Sequence, residues 1–178
     1  MPQQHSFTVR SQGGILRALQ TSCGIAEAFD PVGTPAAQHP QFKQFQAIWD
    51  TGATGSVITQ NVVDACTLKP ISMTQVHGVD SSNLSEVYLV NIMLPNNVGV
   101  RQVRVSKNRL INTDVLIGMD IITLGDFAVT HQGGNTVFSF CFPSQRCLDF
   151  VAEGQRSARA NQPGFRGYTQ PKQPKRHK

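Results

Sequence analysis

One carboxylate, one hydroxyl and one glycine close an apolar run in Ala47-Ile48-Trp49-Asp50-Thr51-Gly52-Ala53-Thr54. A carboxylate placed where an apolar strand gives way to a glycine turn lies beside low-dielectric walls, the setting in which an aspartate becomes a useful acid or base. Amide hydrolysis by water needs a base to deprotonate the nucleophile and an acid to protonate the carbonyl oxygen and then the amine. One carboxyl cannot do both at once. Two close aspartates can, because like charges a few ångströms apart do not both ionise easily and the pair holds one proton between them. The chain has no second Asp-Thr-Gly or Asp-Ser-Gly, and Asp80-Ser81-Ser82 lacks the glycine. The second carboxylate is therefore expected from another copy, across the two-fold axis of an isologous dimer.

A second element, Asp114-Val115-Leu116-Ile117-Gly118-Met119-Asp120-Ile121-Ile122, lies some sixty residues on. An Asp-Thr-Gly-Ala turn after an apolar strand, followed at that distance by two aliphatics and a glycine, resembles the retroviral-type (retropepsin-like) aspartic proteases, and looks closest to their non-viral, bacterial-type members. The resemblance spans roughly residues 45 to 142. It implies an all-β, closed β-barrel subunit with one or two short helices, active as a homodimer whose site lies on the two-fold interface. It also implies that Leu116, Ile117 and Gly118 thread against the Asp50 turn, Gly118 allowing the close backbone approach.

The same resemblance assigns tasks within the turn. Asp50 is the catalytic acid and base, Thr51 the hydroxyl that interlocks across the dimer axis, and Gly52 the residue that folds the backbone beneath Asp50 and turns a carbonyl toward substrate. Ala53 faces substrate where pepsin-like enzymes usually carry a serine. Without that hydroxyl beside the carboxylate, an optimum running from mildly acidic toward neutral pH is expected. Gly78 and Val79, in the loop His77 to Asn83, are the flap candidates that cover an extended peptide. Retroviral enzymes commonly pair an acid four residues after the catalytic aspartate with an arginine after the second motif's glycine. Here those positions are Thr54 and Met119. Both charges are missing together, so neither is left unpaired, and dimer contacts must differ, with the terminal segments as the alternative.

Strands must position these residues. Phe7 and Val9 alternate as in a strand, although Ile15, Leu16, Leu19 and Ile25 also fit a helix; residues 7 to 30 are read as strands. Asp30-Pro31-Val32-Gly33-Thr34-Pro35 is turn-rich, after which Phe45, Ala47 and Trp49 alternate into Asp50. Thr59 is placed to cap a short helix burying Val62, Val63 and Cys66, with Pro70 as its stop. Three extended segments follow, 71–76, 84–94 and 98–105, the last two joined by Pro95-Asn96-Asn97. A short helix is expected over 120–124 with Gly125 ending it. A hairpin then pairs 126–130 with 136–142, with Phe138, Phe140 and Phe142 on one face. Ser144 is read as the cap of a final short helix carrying Leu148 and Val151.

The 178 residues suffice for one ordinary core without disulfides. We read residues 1–153 as the protease domain and 154–178 as a basic, disordered tail rich in Pro, Gln and Gly. Arg156, Arg159, Arg166, Lys172, Lys175, Arg176 and Lys178 hold seven of the sixteen basic residues, which leaves nine against eleven acids in the body, a charge of −2. Clustered bases bind nucleic acid by releasing counterions, but only Phe165 and Tyr168 are there to stack on bases, so a solvated end is favoured. The four cysteines, at 23, 66, 141 and 147, show no metal-like spacing and are read as free thiols. His77 and His131 are read as surface or hairpin histidines and Trp49 as core. No cofactor, no metal and no membrane span is expected, and a cytoplasmic setting follows from the absence of a signal segment and of paired cysteines. Three functions compete: a homodimeric endopeptidase acting on extended peptides, a silent peptide-binding dimer on the same fold, and a nucleic-acid-associated protein acting through its tail.

Overall fold

The computed structural model describes residues 4–77 and 82–160. Among the described residues, ten strands and three short helices make a mostly β structure, one helix more than the upper expectation. Two compact units divide it, residues 1–146 and residues 147–178.

Six strands of the first unit close into a barrel. These are β2 (Leu19–Glu27), β3 (Lys43–Trp49), β4 (Val57–Ile58), β6 (Ser82–Leu94), β7 (Val98–Lys107) and β8 (Val115–Ile117). Their order is β2-β3-β8-β4-β7-β6, and β6 returns to β2 through Gly24↔Met93 to Glu27↔Val90. Closure leaves no free edge on the ring. The 13 residues of β6 do two jobs: its second half completes the barrel on β2, while its first half pairs with β5 (Ser72–His77) from Ser72↔Val87 to His77↔Ser82. The β5–β6 hairpin therefore extends beyond the barrel. Its tip, with the flap candidates Gly78 and Val79, lies outside the described residues.

The barrel core follows the period-two pattern of its strands. Phe45, Ala47 and Trp49 on β3, Val90, Ile92 and Leu94 on β6, and Val98, Val103 and Val105 on β7 are all buried. The β6–β7 turn is made by Pro95-Asn96-Asn97, with both asparagines in the left-handed region at φ 55° and 58°, a conformation asparagine tolerates better than most residues.

The ambiguous N-terminal residues do form strands. β1 (His5–Arg10) joins β10 (Val137–Phe142) and β9 (Asp126–Thr130) in a separate three-stranded sheet of order β1-β10-β9. The expected β9–β10 hairpin is present, with Phe138 and Phe140 fully buried. An aromatic cluster fastens this sheet to the barrel: Phe7 meets Phe138 edge-on at 5.6 Å, and Trp49 lies 5.1 Å from Phe138 and 5.2 Å from Phe140. Each such pair adds about 1 kcal/mol beyond the area it buries. Trp49 is thus core, and its indole N–H donates to Thr21 Oγ1 at 3.0 Å. The residue directly before Asp50 is anchored on both sheets.

The helices differ from expectation in how they end. α1 (Gln60–Cys66) starts after Thr59, but the Thr59 hydroxyl donates to Asp114 Oδ1 instead of capping the helix. Thr67, left-handed at φ 53°, closes α1 before Pro70 is reached. α2 (Met119–Ile122) stops at Thr123, so Gly125 is not its cap. Gly125 is needed for space: a Cβ there would lie 2.6 Å from the Phe140 ring and against the Cys141 carbonyl. Ser144 donates to Asp126 at 2.5 Å and caps nothing.

In the second unit, α3 (Phe150–Ala160) is capped by Asp149, whose Oδ1 accepts from the Val151 and Ala152 amides, both at 3.0 Å. The helix continues past Gly154, where the sequence reading ended ordered structure. Among the described residues no helix is long and apolar enough to cross a membrane.

Candidate active site

Asp50 stands at the mouth of the β3–β4 loop, half-buried, as the first residue after Trp49. β8 lies between the two strands that flank this loop. It pairs in parallel with β3 (Ala47↔Val115, Ile48↔Leu116, Trp49↔Ile117) and antiparallel with β4 (Val57↔Leu116, Ile58↔Val115). Leu116 thus pairs with Ile48 and Val57 on the flanking strands, Ile117 with Trp49, and Gly118 follows against Ala53 and Gly55.

Backbone bonds hold the turn. The Asp50 N–H donates to the Ile117 carbonyl at 3.0 Å, and the Met119 and Asp120 amides donate to the Ala53 and Thr54 carbonyls at 2.8 and 3.2 Å. The Gly52 N–H donates to Asp50 Oδ1 at 2.8 Å and orients the carboxylate. Gly118 lies so close to the loop that a Cβ would sit 2.7 Å from the Gly55 carbonyl carbon and oxygen and 3.0 Å from the Ala53 oxygen. Its φ of −95° suits any residue. Glycine is required there by contact, not by conformation.

Ser56 and Asp120 complete the support, and sequence reasoning missed both. Asp120 Oδ2 accepts from the Ser56 N–H at 3.0 Å and Oδ1 from the Ser56 hydroxyl at 2.8 Å, while the same hydroxyl accepts from the Gly118 N–H at 3.1 Å. Ser56 is buried, so these bonds are made away from competing water and leave no polar group orphaned. The clamp ties the end of the Asp50 loop to the start of α2, close to where Thr54 and Met119 lack the retroviral ion pair. The Asp two residues past Ile117-Gly118 was visible as a signal; its partner 64 residues away was not.

A cleft of about 660 Å³ opens beside the turn. Gly52, Ala53, Thr54, Gly55 and Val57 form one wall, and Thr74, Gln75, Val87, Arg104 and Ser106 of the β5–β6–β7 side form the other. Thr51 and Gly52 are exposed and Ala53 half-buried in the single chain. Among the described residues no group of three His, Cys, Asp or Glu stands close enough to hold a metal ion. His131 is held in its hairpin through Nδ1 and Thr136 Oγ1 at 3.2 Å.

Residues 41–123 match the family described as gag-polyprotein putative aspartyl protease, a span that includes both the Asp50 turn and Leu116-Ile117-Gly118. The matched stretch resembles that family. Among solved structures the chain is similar to a retropepsin-like aspartic protease from Rickettsia conorii. That likeness has a TM-score of 0.47 at 6% identity, over 78% of this chain and 95% of that one. The retroviral protease-like domain of Ddi1 from Leishmania major is similar with a TM-score of 0.42 at 15% identity, over 69% of this chain and 94% of that one. No curated protein matches the chain.

Proposed function

We propose that the chain is a homodimeric aspartic endopeptidase. Two Asp50 carboxylates, one from each copy, share a proton, activate a water and protonate the substrate carbonyl oxygen and then the departing amine. The observation that carries this reading is the placement of the one Asp-Thr-Gly turn: Asp50 is fixed from behind by the Ile117 carbonyl and oriented by the Gly52 amide, with an open cleft alongside. Half of a dyad is built with care and the other half is missing from the chain.

Thr51, exposed in the single chain, then interlocks with its symmetry mate and sets the distance between the carboxylates. Gly52 and Ala53 face an extended peptide, which lies as an added strand between the turn and the β5–β6 hairpin, with Gly78 and Val79 as the covering tip. The terminal sheet suits the rest of the interface, since the outer edges of β1 and β9 are unpaired among the described residues and an open edge is a ready template for pairing.

The test is cleavage of an unfolded protein mixture across pH by the purified chain, with Asp50→Asn as control. Activity that depends on Asp50 and peaks between mildly acidic and neutral pH is expected, the latter because Ala53 offers no hydroxyl to the carboxylate. Cleavage unchanged in Asp50→Asn would falsify the assignment. No cleavage by either protein, with peptide binding retained, favours the silent binding module.

A further inference from the structure

The cleft beside Asp50 is walled by hydrogen-bond donors and carries one charge. Of the residues lining it, Thr54, Ser56, Thr74, Gln75 and Ser106 are neutral and polar, and Arg104 on β7 is the only charged one. The Arg104 guanidinium donates to the Ser72 hydroxyl on β5 at 3.2 Å, which fixes its stem across the base of the hairpin. Among the described residues it pairs with no carboxylate. The two nearest basic residues on its strand are both engaged: Arg101 with Asp30 at 3.6 Å and Lys107 with Glu86. Asp120, which bonds Ser56 on the cleft wall, is occupied by Ser56 and by its own neighbour's amide.

We propose that Arg104 is a specificity-determining residue that selects peptides carrying an acidic side chain a few positions from the scissile bond, an inference that rests on the protease reading above. An extended substrate added as a strand beside the Asp50 turn points alternate side chains into the walls. The side chain that enters this cleft meets a planar cation with a row of hydroxyls and amides, and no Asp or Glu is among the lining residues. A guanidinium presents a fork of N–H donors that matches a carboxylate, so Glu or Asp is held by charge-assisted bonds. A Lys or Arg at the same position is repelled. An exposed ion pair contributes modestly; partly covered by the bound peptide, this one is expected to change kcat/KM by roughly fivefold between Glu and Gln.

The experiment compares matched peptides bearing Glu, Gln or Lys at each of the four positions on either side of a cleaved bond, using the full chain, Arg104→Gln and Arg104→Glu. At one position the wild type prefers Glu over Gln and Gln over Lys, mostly through KM. Arg104→Gln removes that preference, and Arg104→Glu reverses it toward Lys. Cleavage with no acidic preference at any position, or a preference that survives Arg104→Gln, overturns the role of Arg104 and leaves the protease reading intact. If no peptide is cleaved the protease reading fails. The Asp50→Asn chain then tests Arg104 by fluorescence anisotropy: Glu peptides must bind more tightly than Gln peptides, and the difference must vanish in Asp50→Asn/Arg104→Gln.

Discussion

Adding a single methyl group at Gly118 tests the central packing contact of the site. A Cβ there would lie 2.7 Å from the Gly55 carbonyl carbon and oxygen and 3.0 Å from the Ala53 oxygen. All three are backbone atoms, which cannot swing aside as a side-chain tip does. Relief must therefore move β8 away from the β3–β4 loop. Overpacking of this kind costs about 1–3 kcal/mol. The displacement also stretches the 2.8 Å bond from the Met119 amide to the Ala53 carbonyl, worth about 1 kcal/mol more. Gly118→Ala is thus expected to lose about 3 kcal/mol, a fall of about 10 °C in Tm for a unit of this size. Denaturant unfolding of wild type and variant gives the difference directly. Gly13→Ala serves as control, because a Cβ there meets nothing within 4 Å. The activity of Gly118→Ala should fall further than its stability, since the loop that moves is the one holding Asp50. Stability within about 0.5 kcal/mol of wild type, the range of an ordinary surface change, would show that the contact is not tight and refute the reasoning.

Other expectations follow from the same geometry. Ser56→Ala orphans the Gly118 amide and removes one bond to Asp120, so it should cost about 1–3 kcal/mol by denaturant unfolding. The Ser144 hydroxyl, then the Gln145 and Arg146 amides, hold the Asp126 carboxyl below its ordinary 3.8. A folded-state value depressed in this way contributes stability above about 3.8 that is lost as pH falls through the lower folded value. The stability gap between wild type and Asp126→Asn should therefore shrink in that acid window, and a constant gap down to pH 2 would contradict it. Burial, with Asp114 and Cys66 adding to it, pushes the Cys23 thiol up to about 12. Exposed Cys147 should alkylate at neutral pH while Cys23 stays protected until the chain unfolds, which mass spectrometry of the labelled protein reads out.

Local periodicity made much of the barrel legible in the sequence. Phe45, Ala47 and Trp49 alternate into the core, and Val90, Ile92 and Leu94 do the same on β6. Burying one face of a strand forces that pattern. The Asp50 turn and its aliphatic support were legible for a related reason: each is a short run whose residue types are demanded by close contact. What escaped the sequence reading depends on partners far apart along the chain. Ser56 meets Asp120 across 64 residues, and Thr8 meets Ser139 across 131. A hydroxyl looks the same in sequence whether it bonds a carboxylate or water. The helix ends were misread for the opposite reason, because several local caps compete. Thr59 was drawn to Asp114 and Ser144 to Asp126, and the work of termination passed to Thr67 and of capping to Asp149. Gly125 was read as a cap because a ring stacked against it from β10 cannot be seen in the chain order.

Mixing the wild-type chain with increasing amounts of Asp50→Asn chain measures whether two Asp50 side chains make one site. If they do, random exchange at equal amounts leaves about a quarter of the dimers with both carboxylates, and activity per wild-type chain falls to about half. It continues to fall toward zero as the variant is added in excess. Activity per wild-type chain that stays constant at every ratio, after subunit exchange has been verified by a labelled chain, would mean that each chain carries a complete site and would contradict the shared dyad.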